Sequence, residues 1–170
     1  MTPIFKFEGI YTPIVTPLNP DGSFNHDGLA DQIEHLIEAG VHGVISGGST
    51  GENYAQTVEE RLSLATFTKG RLPLIIGTGS MRTPDSIALA KGARDIKADA
   101  ILLGTPPYSV PTESENALNA LAIDRAANLP VMLYNYPGRM GVNMGEEFLD
   151  RVGRGIIRIS KCRVAWTIRR

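Results

Sequence analysis

Short apolar stretches rich in Ile, Leu and Val recur along the chain at nearly equal intervals. They cover residues 9–15, 41–46, 72–78, 99–105 and 129–135. Four residues at or next to their ends, Gly47, Gly77, Gly104 and Tyr134, are separated by 30, 27 and 30 positions. A β-strand followed by a crossover helix has about this length. The stretches are apolar throughout rather than alternating, which is typical of parallel strands covered on both faces.

The segments between these stretches carry the start signals of α-helices. Thr57 and Thr112 each stand three residues before a Glu and match the capping box, in which both side chains accept hydrogen bonds from free backbone N–H groups. Thr83 precedes a proline, which predicts a third helix with Thr83 as its N-cap. Residues 27–39 predict a further helix with four apolar side chains on one face: Leu29, Ile33, Leu36 and Ile37.

Strand, short loop and capped helix in repetition predict a parallel α/β fold. The constant period favours a closed (β/α)8 TIM barrel over a doubly wound sheet. Such a barrel takes roughly 250 residues, whereas the 170 residues of this chain provide five strands and a candidate sixth at 156–161. The expected fold is therefore an incomplete TIM barrel of about five to six of eight βα units, with functional residues on the loops after the strands.

The charge of the chain is unevenly distributed. Residues 1–153 hold all 18 acidic residues and 11 of the 17 Lys and Arg residues, whereas residues 154–170 hold six basic residues and no acidic one. A basic tail is typical of a nucleic-acid-binding arm, but this tail also contains large apolar side chains: Ile156, Ile157, Ile159, Val164, Trp166 and Ile168. We therefore expect no nucleic-acid partner, and we divide the chain into a partial barrel domain at 1–153 and an aberrant basic tail at 154–170.

Several classes of protein are disfavoured by the sequence. The chain contains no apolar run of about 18 residues, the length of a membrane span, and its N-terminus lacks the pattern of a signal peptide. The single cysteine, Cys162, fits a reducing compartment, so a cytoplasmic protein without a membrane partner is expected. His26, His35 and His42 lack metal-ligand spacing, and no GxGxxG motif follows a strand, so neither a metal nor another cofactor is expected.

The second apolar stretch ends in the sequence SGGSTGE, residues 46–52. Three glycines allow the backbone N–H groups to approach a ligand closely, and Ser49 and Thr50 add two hydroxyl groups. This combination suits a small anion such as a carboxylate or a phosphate. No lysine follows as in a Walker loop, which disfavours a nucleoside triphosphate. The alternative is a strand-to-helix turn in which Gly and Ser only relieve backbone strain.

Two further loops after predicted strands carry candidate site residues. Tyr134 ends the fifth stretch and could relay protons, and Arg139 could hold a carboxylate through two parallel hydrogen bonds. The alternative is that Tyr134 fills the barrel and Arg139 is solvated. Tyr108 follows the fourth stretch in a proline-rich loop, where it either reaches a neighbouring site or simply packs.

Three motifs in register resemble the dihydrodipicolinate synthase and N-acetylneuraminate lyase family. They are GIYTP at 9–13, GSTGE at 48–52, and YNYP at 134–137 followed by Arg139 and Gly141. The resemblance extends from residue 9 to about residue 152. It implies a (β/α)8 barrel, usually assembled as a homotetramer of two tight dimers. It also implies a pyruvate-dependent class I aldolase, which acts on small molecules, namely pyruvate and an aldehyde, through a lysine Schiff base.

The resemblance implies a role for each candidate residue. Ser49 and Thr50 would hold the pyruvate carboxylate, and Thr50 and Tyr134 would belong to a proton relay. Tyr108 matches a tyrosine that reaches into the partner subunit's relay. Arg139 matches the arginine that binds the carboxylate of aspartate semialdehyde in the synthases, whose product is 4-hydroxy-tetrahydrodipicolinate of lysine and diaminopimelate biosynthesis. By contrast, Ser at position 49 is more typical of the N-acetylneuraminate lyases, so a sugar-acid aldolase remains the alternative.

The Schiff-base lysine of the family is expected on the sixth strand, in an Ile-Lys-Glu context. The candidate here is Lys161, but Ile159 stands two residues before it and no such Glu follows. A slip of one residue turns a strand side chain to the other face. Because the family pattern ends where the composition changes, we hypothesise that the sequence from about residue 154 is read out of frame. An inactive fragment and a small-anion binding module are therefore the alternatives to an enzyme.

Overall fold

The computed structural model describes residue 5 and residues 7–154. Within them, one parallel sheet contains five strands, namely β1 (Tyr11–Pro13), β2 (Gly43–Ser46), β3 (Leu74–Gly77), β4 (Ala100–Gly104) and β5 (Val131–Tyr134). Their order in the sheet is their order in the chain, and each strand pairs in parallel with the next. A doubly wound sheet would reverse this order at a switch point. The described residues therefore form the half-barrel that the period predicted, and the candidate sixth strand lies outside them.

Helices follow every strand. They are α1 (His26–Glu38), α2 (Val58–Thr68), α3 (Thr83–Asp95), α4 (Glu113–Ala127), α5 (Pro137–Met140) and α6 (Glu146–Gly153). Two short 3-10 turns, Ser49–Gly51 and Asn53–Ala55, stand between β2 and α2. Among the described residues, no helix has the length and apolar character needed to cross a membrane.

The helix starts confirm two of the three predicted N-caps. Both capping boxes form, at Thr57 and at Thr112. Thr83 is not an N-cap, and that prediction was wrong. The N-cap of α3 is Arg82, and the hydroxyl of Thr83 donates instead to Asn119 Oδ1 on α4 at 2.8 Å. The Thr83 hydroxyl thus forms a hydrogen bond to a neighbouring helix and does not cap α3.

The two faces of the sheet carry different neighbours. Side chains on the outer face, such as Val44 and Leu103, belong to the main core with the helices. The inner face holds a second, smaller cluster, which consists of Ile45, Ile75, Ala100 and Met132. Three aromatic residues of the N-terminal segment pack against this cluster, Phe5, Phe7 and Tyr11, with the rings of Phe5 and Phe7 at 5.0 Å and 89°. The N-terminal segment therefore covers the inner face near the amino ends of the strands.

The predicted apolar face of α1 is buried only in part. Leu29 and Ile33 are fully buried, and Leu36 packs at the edge of the core. Ile37 was expected on the same face but is 38% exposed. It lies next to the end of the helix, where the chain turns toward β2. The inward face of α1 is therefore narrower than the sequence pattern indicated.

The last described helix is joined to α4 by a carboxylate. Glu113 Oε2, on the first turn of α4, accepts a hydrogen bond from the N–H of Phe148 on the first turn of α6 at 2.9 Å. A Cβ at Gly145 would lie 2.5 Å from Glu113 Oε1, so a larger residue at this position would displace the Glu113 carboxylate. Arg154, placed by the sequence at the start of the basic tail, pairs with Asp150 of α6 at 3.1 Å. The rest of the predicted tail lies outside the described residues.

Candidate functional site

The predicted site residues that the structure describes lie at the carboxyl ends of the strands. Parallel pairing places all five of these ends on one rim of the half-barrel. Ser49 and Thr50 follow β2, Tyr108 follows β4, Tyr134 ends β5, and Arg139 lies in the short helix α5 after it. Lys161 lies outside the described residues, so its place relative to this rim stays a prediction.

The loop after β2 presents free backbone donors. Gly47 has a left-handed φ of +67°, which turns the chain out of the strand, and Gly48 is extended. The 3-10 turn that follows is closed by the Gly51 N–H, which donates to Gly48 O at 3.1 Å. The N–H groups of Gly48, Ser49 and Thr50 have no acceptor among the described residues. Three consecutive free N–H groups and two hydroxyls are the donors that a carboxylate needs.

The far end of this loop is fixed by two polar side chains. Gly51 O accepts hydrogen bonds from Thr16 Oγ1 at 2.8 Å and from Gln56 Nε2 at 2.7 Å. Gln56 Nε2 also donates to Thr16 Oγ1 at 3.0 Å. A Cβ at Gly51 would lie 3.0 Å from Ile14 O and 3.1 Å from Thr16 Oγ1. The third glycine of the loop is therefore favoured by close packing against the segment after β1.

The near end of the loop is held by Arg61, a residue that the sequence analysis missed. Arg61 is only 4% exposed. Its Nη2 donates to Gly77 O at 2.6 Å and to Gly47 O at 3.2 Å, and its Nη1 donates to Gly79 O at 2.9 Å. A signal was present in the sequence, because the spacing of α2 places Arg61 on the same face as three other buried residues, Leu64, Ala65 and Thr68.

Burial lowers the pKa of Arg61 to about 10, because removal from water disfavours the charged guanidinium. This pKa still leaves the group protonated at neutral pH. No carboxylate among the described residues forms an ion pair with it. The rim after β2 and β3 therefore carries a buried positive charge whose described partners are backbone carbonyls alone.

Tyr134 stands on the inner face of the half-barrel. Side chains alternate along a strand, and Met132, two residues before Tyr134, belongs to the inner cluster. A Cβ at Gly104 would lie 3.6 Å from Tyr134 Cδ1, so the ring rests beside a glycine of the neighbouring strand. The ring is half-buried and lies 6.3 Å from the ring of Tyr136. The Tyr134 ring is therefore partly exposed to solvent at the same rim from which the loop after β2 extends.

Arg139 is carried by a short loop that is tied at its base. Asn135 Nδ2 donates to Asn143 Oδ1 at 2.9 Å, and Asn135 Oδ1 accepts from the Met144 N–H at 3.1 Å. Between these ties, α5 presents Arg139 to solvent, and no carboxylate of the described chain pairs with it. Its guanidinium is therefore free to bind an anionic ligand.

Tyr108 projects away from the described chain, with 89% of its surface exposed. Tyr108 and Val110 both have left-handed backbone angles, with φ of +70° and +43°, which strain residues other than glycine. Val110 Cγ2 would lie 3.6 Å from a Cβ at Gly141, so the loops after β4 and β5 touch each other. The structure thus brings the Tyr108 loop beside the Arg139 loop but leaves the Tyr108 ring in solvent.

The profile of the Dihydrodipicolinate synthetase family matches residues 6–157. A 4-hydroxy-tetrahydrodipicolinate synthase of Oleidesulfovibrio alaskensis is 37% identical over 155 residues, which are 89% of this chain and 53% of the relative. The chain thus spans about half the length of the curated relatives that it matches.

Solved structures also match the chain in both fold and sequence. The 4-hydroxy-tetrahydrodipicolinate synthase of Methylacidiphilum fumariolicum SolV matches with a TM-score of 0.85 at 30% identity, over 94% of this chain and 55% of that one. The chloride-inhibited dihydrodipicolinate synthase of Acinetobacter baumannii, solved in complex with pyruvate, matches with a TM-score of 0.83 at 35% identity, over 91% and 55%. These matches confirm the TIM-barrel fold class, of which the described residues contain five strands.

Proposed function

Because this chain belongs to the dihydrodipicolinate synthetase family, we propose that its β2 rim binds pyruvate for addition to an aldehyde through a lysine Schiff base. The observation that carries the proposal is the row of three free N–H groups, Gly48 to Thr50, flanked by two hydroxyls. The loop is fixed at both ends, so its donors need little rearrangement to bind a carboxylate. The similar synthase that was solved with pyruvate supports this choice of ligand.

The chemistry begins with the attack of a neutral lysine amine on the ketone carbon of pyruvate. Loss of water leaves an iminium, which then loses a methyl proton to give an enamine. The enamine carbon adds to the carbonyl carbon of the aldehyde, and the oxygen of that carbonyl takes up a proton. We assign the amine to Lys161. Burial of a lysine in an apolar barrel disfavours its ammonium form and so makes the neutral amine available near pH 7.

We assign the proton transfers to Tyr134 and Thr50. A phenol hydroxyl can donate and accept a proton in turn, as the formation of the iminium requires. The inner-face position of Tyr134, half-buried beside Gly104, supports this role. Ser49 would share the pyruvate carboxylate with the backbone donors. Tyr108 would complete the relay of a second subunit, which its exposure supports.

The acceptor that we propose is aspartate semialdehyde. After the addition, its own amine would attack the iminium carbon, which closes the ring, releases the lysine amine and gives 4-hydroxy-tetrahydrodipicolinate. Arg139 supports this choice, because an exposed guanidinium without a carboxylate partner in the described chain can bind the second carboxylate of this aldehyde bidentately. Ser49 supports a second candidate, the cleavage of N-acetylneuraminate or a 2-keto-3-deoxy sugar acid, since the motif with Ser resembles those lyases. Both candidates use the same pyruvate site.

Borohydride trapping tests the covalent step. The chain is incubated with pyruvate and sodium borohydride, and any adduct is located by peptide mass spectrometry. We expect an adduct on Lys161, its loss in Lys161→Arg, and its retention in the matched variant Lys91→Arg, which changes an exposed lysine of α3. A folded protein that yields no adduct at any lysine would show that the Schiff-base proposal is wrong for this chain.

A further inference from the structure

The charge of Arg61 is buried without an acidic partner in the described chain. Burial of an uncompensated charge is costly, and Arg61 lowers this cost only by donating to the carbonyls of Gly47, Gly77 and Gly79. Its Nε has no hydrogen-bond partner among the described residues either. The free-energy cost of burying the Arg61 guanidinium next to a candidate anion site requires a functional explanation.

The contact with Gly47 also determines where the next N–H points. In a trans peptide unit, the C=O of one residue and the N–H of the next point in opposite directions, and the described chain contains no cis peptide. Since Gly47 C=O points at Arg61, the Gly48 N–H points away from it. The peptide unit between Gly47 and Gly48 packs directly against Gly77, where a Cβ would lie 2.3 Å from Gly47 O and 3.2 Å from the Gly48 nitrogen. The first free donor of the loop is therefore directed away from the buried guanidinium.

We infer that Arg61 is a positioning residue of the pyruvate site, which orients the loop donors through Gly47 and supplies a positive charge that the bound carboxylate neutralises. This inference rests on the proposed function. Arg61 itself stays behind the peptide plane and does not touch the ligand. Because the group is buried, solvent ions screen its charge only weakly. The site should consequently select 2-oxo acids over uncharged 2-oxo compounds of the same shape.

Two variants separate the charge of Arg61 from its geometry. Arg61→Gln removes the charge and most of the hydrogen bonds. Arg61→Lys keeps a charge, but its compact ammonium cannot reproduce the planar fork that reaches three carbonyls. The matched control is Arg125→Gln, which makes the same change at an exposed position of α4. Each variant is first shown to be folded by circular dichroism.

The charge is tested by calorimetric titration with pyruvate and with pyruvamide, its uncharged amide. Both compounds can form an imine, so the ratio of their affinities isolates the effect of the carboxylate. We expect Arg61→Gln to weaken pyruvate binding by about tenfold and to leave pyruvamide binding nearly unchanged. Arg61→Lys and Arg125→Gln should keep most of the preference for pyruvate. An unchanged affinity ratio in folded Arg61→Gln would overturn the inference. If Arg61→Gln does not fold, loss of the preference in Arg61→Lys would overturn it.

The geometry is tested without any ligand, by amide hydrogen exchange of Gly48, Ser49 and Thr50. Exchange at these amides should be faster in both Arg61 variants than in the wild type and Arg125→Gln, because the loop loses its anchor. Equal exchange in all four proteins would contradict the positioning role. A wild-type chain that binds neither compound would refute the proposed function, and the exchange rates alone would then decide whether Arg61 orients this loop.

Discussion

At the scale of single residues, Ser46 contrasts with the other buried polar groups of the rim. Its side chain is fully buried at the end of β2, and its hydroxyl has no partner among the described residues. Since no hydrogen bond offsets its burial, the hydroxyl contributes nothing to stability. We expect Ser46→Ala to leave the free energy of unfolding unchanged or to raise it by up to about 1 kcal/mol, as measured by urea denaturation.

The control for this prediction is a buried hydroxyl that has a partner. Thr105 Oγ1 accepts a hydrogen bond from Asn116 Nδ2 at 3.0 Å, and both residues are buried. Thr105→Val keeps the shape but leaves the Asn116 amide without an acceptor, so it should cost about 1–3 kcal/mol. If Ser46→Ala proves as destabilising as Thr105→Val, the hydroxyl of Ser46 must have a partner, such as a buried water.

The sequence predicted which residues the rim would carry, but not how they are held. Ser49, Thr50 and Tyr134 stand out because glycines, hydroxyls and a phenol at strand ends suggest chemistry locally. The contacts of Arg61 and Gln56 cannot be read in this way. Their partners are backbone carbonyls 5 to 18 residues away and, for Gln56, also the Thr16 hydroxyl 40 residues away. A charged residue on the inward face of α2 was the available sign. This sign does not reveal which carbonyls the side chain contacts.

At the scale of elements, the capping box of α4 gives a prediction about pH. Glu115 Oε2 accepts hydrogen bonds from the Thr112 N–H at 2.9 Å and from its hydroxyl at 2.8 Å. These bonds, the backbone bond first, lower the pKa of Glu115 from its ordinary value of 4.5. Because the folded-state pKa is depressed, the ionised carboxylate stabilises the fold above pH 4.5 and loses this effect as the pH falls further.

The measurement compares the wild type with Glu115→Gln by thermal unfolding between about pH 3 and pH 7. The wild type should be the more stable protein at neutral pH, and its advantage should shrink as the solution is acidified. Glu8→Gln serves as the control, since it removes an exposed loop carboxylate that has no hydrogen-bond partner among the described residues. A stability difference for Glu115→Gln that does not vary with pH would show that this carboxylate has no part in the cap.

Strands and capped helices could be predicted because local sequence specifies them. All five strands lie within the predicted stretches, and both capping boxes form as expected. Thr83 failed as a cap because its hydroxyl reaches Asn119, 36 residues later. A pattern that spans four residues contains no information about such a partner. The link between Glu113 and α6, over 35 residues, was beyond local inspection for the same reason.

At the scale of the whole molecule, the described sheet has two free edges. Among the described residues, β1 pairs only with β2, and β5 pairs only with β4. Unpaired strand edges attract further strands, and a barrel of this family has about eight strands. The period of the sequence favoured a closed barrel, but it carried no information about the pairing between the first and last strands on which closure depends.

The free edges lead to a prediction for a polypeptide of residues 1–170 on its own. We expect it to associate in a concentration-dependent manner in sedimentation velocity and to unfold over a broad temperature range, since β5 has no strand on its outer side among the described residues. A fusion of residues 1–153 to the carboxyl-terminal half of the Oleidesulfovibrio alaskensis relative should suppress this association and sharpen the transition. The denaturant m-value should also rise, because a closed barrel exposes more surface on unfolding. A sharp, concentration-independent transition in the 170-residue polypeptide would mean that the edges of its sheet are already protected.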